Sequence, residues 1–245
     1  MKEFAYKEYD LEGMETLQTI AEANQFNEWM YQTTSRQLRG RIIEIGSGIG
    51  NISSFYLRGG RSLHLSDIRA NYCAFLRDQY GKHEHILGIS QIDLVHPEFE
   101  RHYRDLLGSF DGLFALNVVE HIKDVRLAIA NAKQLLRPGG RMVILVPAYQ
   151  FLYNSFDKAL EHYRRYNKKR LQGLFIDNDL HIERSQYFNL AGIAGWFVSG
   201  NILRRKLIPS GQMQLYNRLV PLFKLADRLT FRQMGLSVIV EGVKK

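Results

Sequence analysis

Residues 41–50, RIIEIGSGIG, constrain the fold more than any other part of the chain. A short apolar run carrying Glu44 ends in glycines at 46, 48 and 50. A β-strand therefore stops there, the backbone turns where side chains would obstruct it, and a helix begins near Asn51. Such turns hold small molecules, and the glycine spacing discriminates among them. The dinucleotide fingerprint G-x-G-x-x-G uses its third glycine for close helix-to-strand packing, and in this chain that position is Asn51. Glu44, two residues before the first glycine, would repel a pyrophosphate but suits an ammonium or ribose hydroxyls. A second short strand, SLHLSD at 62–67, ends in Asp67, 21 residues after Gly46. A carboxylate there can accept both ribose hydroxyls of an adenosine.

With E-x-G-x-G-x-G followed by the strand-end Asp67, the chain resembles the class I S-adenosylmethionine-dependent methyltransferases of the small-molecule type. Matching segments follow in family order over roughly residues 24–245: QIDL at 91–94, FDGLFALNVVEHIKD at 110–124 and LLRPGGRMVILVPA at 135–148. The resemblance implies a Rossmann-like α/β fold, a seven-stranded sheet flanked by helices. That sheet is mostly parallel, with an antiparallel last strand inserted between the fifth and sixth. It also implies S-adenosylmethionine as cofactor. Glu44, Gly46, Ser47, Gly48 and Gly50 would support its methionine and ribose parts. Asp67 would bind the ribose, Ile68 would lie on an adenine face, Asp93 and Leu94 near the adenine edge, and Asn117 and Val118 near the methionyl group. Read from the residues alone, Glu44 could instead meet a backbone amide and Asp67 could cap a helix.

Composition agrees with an enzyme of one domain over residues 1–245: 245 residues with 45% apolar content can bury one sizeable core. Cys73 is the only cysteine, which excludes an intrachain disulfide or a thiolate zinc cluster and fits a reducing cytoplasm. No metal site is expected. The charged start MKEFAYKEYDLEG is unlike a signal peptide. The longest apolar stretch, about 190–198, is half what a bilayer span needs.

The net charge of +8 is not spread evenly. Residues 1–159 carry 18 Lys and Arg against 19 Asp and Glu, whereas 160–245 carry 15 against 6. The basic excess, in HYRRYNKKR at 162–170 and RRK at 204–206, suits an anionic partner or a merely solvated surface.

Apolar periodicity predicts helices within 14–38 packing over a sheet edge, strands near 41–45, 62–66, 86–89, 111–116, 141–146, 180–187 and 235–243, and helices between them. Pro138-Gly139-Gly140 reads as helix stop and turn. Two segments, 149–175 and 188–231, read as a helical cap on the substrate side. In the second, Leu215, Leu219, Leu222, Ala226 and Leu229 form an apolar stripe, expected to close the site or a dimer contact, with a basic membrane-resting surface as the alternative. Pro221 predicts a kink or a break into two helices.

The acceptor is expected to be a small molecule methylated on O or N, apolar, aromatic, anionic or lipid- or sugar-linked. Phe151, Tyr153, Phe156, Tyr163, Tyr166, Trp196 and Phe197 are candidates for its pocket. His121, whose neighbour Glu120 could raise its basicity, is the first candidate general base. His162, in EHYRRY, is the second; that segment could equally be a clasp in which Arg164 or Arg165 pairs with a carboxylate of the sheet. An RNA or other nucleic-acid methyltransferase is the alternative. The N-P-P-Y type motif of amino-methylating enzymes would fall at Asn117, where the chain reads NVVE.

Overall fold

In the computed structural model the described residues are 11–205 and 210–245. The first ten residues and residues 206–209, including Lys206 of the RRK run, lie outside them. Seven strands, β1 (Ile42–Ile45), β2 (Leu63–Asp67), β3 (Ile86–Gln91), β4 (Phe110–Leu116), β5 (Leu136–Pro147), β6 (Leu180–Phe188) and β7 (Ser237–Lys244), form one sheet. Its order is β3-β2-β1-β4-β5-β7-β6. Pairing is parallel from β3 through β5, and β7 runs antiparallel to both its neighbours. Every residue of β1 and β2 is buried, as expected of parallel strands covered on both faces.

Alternate residues feed two cores. Ile43, Ile45, Leu113, Ile144 and Val240 pack with Ala128 and Ile129 of α6 (Val125–Leu135) and with Leu171 and Phe175 of α8 (Lys168–Ile176). On the other face, Ile42, Leu63, Phe114, Val143 and Ile239 pack with Trp29 of α2 (Asn24–Thr34), Tyr56 of α3 (Ser53–Arg58) and Leu76 of α4 (Ala70–Tyr80). The N-terminal segment packs on this face through α2, which also reaches the expected sheet edge: Arg184 of the edge strand β6 donates to the Thr33 carbonyl at 2.8 Å. Trp29 joins the central-strand core and lies 4.4 Å from the Phe188 ring. The short α5 (Phe99–His102) follows β3.

The Pro138-Gly139-Gly140 segment also departs from expectation. Asp124 caps α6 by accepting from the Leu127 amide at 3.0 Å, and the helix ends at Leu135, but strand pairing resumes at once at Leu136. The register then shifts between the Phe110–Leu136 and Gly112–Arg141 pairs. Pro-Gly-Gly therefore bulges from β5, with Gly139 at φ +76°.

The cap segments contain α7 (Ser155–Ala159), α9 (Leu190–Trp196) with a following π-helical turn (Phe197–Ile202), and α10 (Ser210–Leu229). Pro221 does not divide α10, which runs as one 20-residue helix. The expected apolar stripe is not its buried face. Met213, Val220 and Asp227 are buried, and Tyr216 and Phe223 join the α2 side of the core. Leu215, Leu222 and Leu229 face solvent, 59%, 62% and 70% exposed. The physical reason is Asp227, whose carboxylate accepts from the amides of Asn189 and Leu190 at 2.8 and 2.7 Å. Those bonds pull a charged residue inward and rotate the leucines out.

Candidate active site

The direction of chain progression reverses between β1 and β4, so a crevice opens beyond their carboxyl ends. The glycine turn, Asp67 and Asn117 all sit there. The turn is bound to β2: the Ser47 amide donates to the Ser66 carbonyl at 2.8 Å, and the Ser66 amide donates to Ser47 Oγ at 3.1 Å. Gly46 has φ +74°, and a Cβ on it would lie 2.4 Å from Val118 Cγ2. The turn and the loop after β4 can approach this closely only without a side chain.

Asp67 accepts from the Gly48 amide at 2.9 Å and the Arg69 amide at 3.0 Å. Burial nonetheless raises its pKa, the amides offsetting only part. Glu44 is buried beside the turn. Its carboxylate accepts a short hydrogen bond from the Ser53 hydroxyl of α3, and burial pushes its pKa up to about 7, against that bond. Gly50, also at positive φ, ends the turn.

Ile68 is exposed at the rim, its carbonyl accepting from Gln91 Nε2 at 2.8 Å. Asp93 lies just beyond β3. One of its carboxylate oxygens accepts from the Val95 amide at 2.9 Å, and its own amide donates to the Tyr103 hydroxyl at 2.9 Å. Leu94 is packed into the core. Asn117 is exposed in the left-handed region at φ +55°, a conformation Asn tolerates better than most residues and one found at functional sites. The first of the expected N-terminal helices, α1 (Leu11–Ala21), meets the glycine turn, a contact that sequence reasoning missed. Leu17 packs at Gly48, and Asn51 donates to the Leu17 carbonyl at 2.9 Å. The signal was Asn51 itself, where a dinucleotide fold has glycine.

Forty-one positions apart in sequence, His121 and His162 are brought together, their rings at 4.6 Å and nearly perpendicular. The Tyr163 amide, donating to the Glu120 carbonyl at 2.9 Å, ties the two segments. His162 is buried, and its Nδ1 lies 2.8 Å from Asp157 Oδ1. Arg165, fully buried, donates from Nε to the same oxygen at 2.8 Å and from Nη1 to the Ala148 carbonyl at 3.0 Å. Its guanidinium lies 4.6 Å from the Trp196 ring centre. The HYRRY segment is therefore a clasp, but on a carboxylate of α7 and not of the sheet; Arg164 instead reaches the Lys123 carbonyl. Although burial pushes Asp157 upward, its His162 bond and Arg165 hold it below the usual carboxylate range.

Glu120 does not raise the basicity of His121. Its side chain is 0% exposed, and neither oxygen has a hydrogen-bond partner. Burial raises its pKa to about 8; its own amide and Arg165 offset this only in part. At neutral pH, with nothing bound, it is mostly protonated. The protein mass around His121 and then His162 lower the pKa of His121, although the ring is open to solvent, which limits the effect of burial.

The expected aromatic pocket is also divided. Phe156 and Tyr166 are core residues, Phe156 stacks obliquely on Trp196, and Tyr153 donates to the His162 carbonyl at 2.7 Å. Phe151 is exposed, and with Tyr149, Asn167, Arg170 and the otherwise buried Tyr166 it lines an open pocket of about 260 Å³.

A methyltransferase-domain family model matches residues 15–198. The lovastatin nonaketide synthase of Monascus pilosus is 30% identical over 108 residues, which are 42% of this chain and 3% of the synthase. Among solved structures, phosphoethanolamine N-methyltransferase 2 of Haemonchus contortus in complex with S-adenosyl-L-methionine superimposes with TM-score 0.57 at 19% identity, over 89% of this chain and 52% of that one. A chain from the complex of the Haloferax volcanii Trm112 methyltransferase activator with the putative methyltransferase gives TM-score 0.61 at 11% identity, over 96% and 98%. The chain spans about half the length of the first of these structures and a small fraction of the synthase. The strand order, the glycine turn bonded to Asp67 and the family match over three quarters of the sequence agree: the chain belongs to the methyltransferase-domain family, within the class I S-adenosylmethionine-dependent methyltransferases.

Proposed function

We propose that the chain binds S-adenosylmethionine in the crevice beyond β1 and β4 and transfers its methyl group to an oxygen or nitrogen of a small-molecule acceptor. The observation that carries this reading is the Gly48–Asp67 bond, which fixes the turn and the strand-end carboxylate as one unit. The residues fit the cofactor. Asp67 keeps lone pairs for ribose hydroxyls beyond the amides of Gly48, Ile68 and Arg69, Ile68 keeps an exposed apolar face for a ring, and Val118, with Asn117 before it in the chain, borders the turn. Gly46, Ser47, Gly48 and Gly50 would shape the floor, with Glu44 bonded to Ser53 and Ser47 beside it, and Asp93, just beyond β3, would meet the adenine edge. Leu94 contributes packing behind it.

When bound, S-adenosylmethionine supplies a methyl group already activated on a sulfonium. The chain's own task is alignment, which can contribute much of the rate. His121 is exposed with a lowered pKa, so at pH 7 it is neutral and able to accept the proton of an acceptor hydroxyl. His162, locked by Asp157, positions it. Segments 149–175 and 188–231 form the acceptor side.

The exposed leucines of α10 share that helix with Arg218 and Arg228, both exposed. An apolar stripe flanked by cations suits contact with an anionic lipid surface and an acceptor drawn from it. No helix among the described residues is long and apolar enough to cross a membrane, and the buried, free Cys73 favours a reducing cytoplasm. The reading is tested by incubating the protein with methyl-labelled S-adenosylmethionine and panels of hydroxyl- and amine-bearing acceptors, with and without lipid anchors. Transfer to a small acceptor supports it; transfer to RNA alone would replace it.

A further inference from the structure

Glu120, His121 and His162 each offer one ligand atom, and all of these atoms lie within 4.8 Å of one another. Three independent features mark the group as more than a chance cluster. The Glu120 carboxylate is wholly buried with both oxygens unpartnered, a state that ordinarily calls for a proton or a cation. His162 is oriented through Nδ1 by Asp157, which is itself held by Arg165 and by the Asn154 amide at 3.0 Å. That leaves Nε2 as the free nitrogen, in the carboxylate–histidine arrangement that orients metal ligands. His121 makes a hydrogen bond to the Leu160 backbone and is the exposed member of the three, so it opens a path from solvent.

We propose that Glu120, His121 and His162 bind a divalent transition cation, with Zn2+, Mn2+, Fe2+ or Co2+ as the chemical class. Two imidazoles and one carboxylate suit these ions, whereas Mg2+ and Ca2+ prefer oxygen donors. Ligand bonds of about 2.0–2.2 Å hold neighbouring donors about 3–4 Å apart. Binding therefore requires a contraction of about 1 Å, which the exposed His121 can supply. Three protein ligands leave coordination positions open, the pattern of catalytic and not structural sites. The loop that carries Glu120 also carries Val118, which touches the glycine turn. The open positions thus lie by the crevice, where the cation would hold a hydroxyl-bearing acceptor and lower its pKa; with its second ring nitrogen on the cation, His121 would then be a ligand and not the proton acceptor. In that role, though not in its existence, the site rests on the methyl-transfer reading.

The test uses the full chain after chelator treatment, titrated calorimetrically with ZnCl2 and MnCl2 without any methyl donor, and with Co2+ followed by visible absorption. One equivalent of Zn2+ is expected to bind, to raise the melting temperature, and Co2+ to show ligand-field bands. Glu120→Gln, nearly isosteric, and His121→Ala, at an exposed position, should each weaken binding at least about tenfold, the smallest effect seen even for outer partners of a site. No saturable binding to the wild type would overturn the proposal. So would unchanged affinity in either variant, which would assign the ion to a surface histidine pair such as His83–His85 or His96–His102.

Discussion

Replacing Arg165 with methionine removes a guanidinium that is 1% exposed and holds two segments together. The Asp157 carboxylate, 0% exposed, would keep His162 and the Asn154 amide but lose its guanidinium partner, and the Ala148 carbonyl would lose its donor. Breaking a buried ion pair by deleting one partner costs about 3–5 kcal/mol, mainly through the charge left behind. Against a total stability of about 5–15 kcal/mol for a folded domain, that is a large fraction. Urea denaturation followed by far-ultraviolet circular dichroism measures it directly. Arg165→Met is expected to lose about 3–5 kcal/mol. Arg165→Lys should lose less, because it restores charge but not a planar fork reaching two acceptors. In the double variant with Asp157→Asn the losses should not add, with a coupling of up to about 3 kcal/mol. An Arg165→Met variant within about 1 kcal/mol of the wild type, or strict additivity, would refute the clasp.

Gly46→Ala should keep the fold but cut S-adenosylmethionine affinity at least tenfold by calorimetry, since its methyl would displace Val118 and the residue would sit at φ +74°, which costs about 1–2 kcal/mol; unchanged affinity would contradict the turn's role. Burial, and then Arg41, hold the His64 pKa at about 4 against 6.5, so the unfolded chain takes up its proton first and stability falls as pH drops from about 6.5 to 4. At about 1.36 kcal/mol per pKa unit this reaches about 3 kcal/mol. Glu44, raised to about 7 from 4.5, acts oppositely: the folded chain takes up its proton first, and stability falls as pH rises from about 4.5 to 7. Between about pH 4.5 and 6.5 the two slopes offset each other in the wild type, so His64→Gln should unmask the Glu44 slope, its stability in denaturation curves falling as pH rises through that window; parallel curves for variant and wild type would exclude this. Vesicles rich in anionic lipid should float the wild type at low salt but not a Leu222→Glu, Leu229→Glu variant, and absence of wild-type flotation would remove the membrane contact.

Much of the scaffold was legible because strands and glycine turns are local signals. Apolar runs located all seven strands, and the family pattern gave the antiparallel last strand between the fifth and sixth. What escaped depends on contacts between distant segments. The buried side of α10 was misassigned because helical spacing cannot reveal that Asp227 is drawn inward by two amides of the α9 start. Pro138-Gly139-Gly140 looked like a turn because local rules do not report that Leu136 already pairs with Phe110. At the candidate site, His121 and His162 were both visible as titratable groups, but neither Asp157 nor the burial of Glu120 was, since a carboxylate next to a histidine in sequence looks the same whether it faces solvent or the core. The basic excess after residue 160 was likewise counted without knowing that Arg165 is internal and that Arg184 pairs with Glu241.

Calorimetric titration of the wild type and of Asp67→Ala with S-adenosylmethionine tests the central claim most directly. The wild type should bind one equivalent with micromolar affinity, and Asp67→Ala, which frees the Gly48 amide and removes the ribose acceptor, should bind at least tenfold more weakly while still unfolding cooperatively. No heat from the wild type at millimolar ligand, or equal affinity in the two proteins, would contradict it.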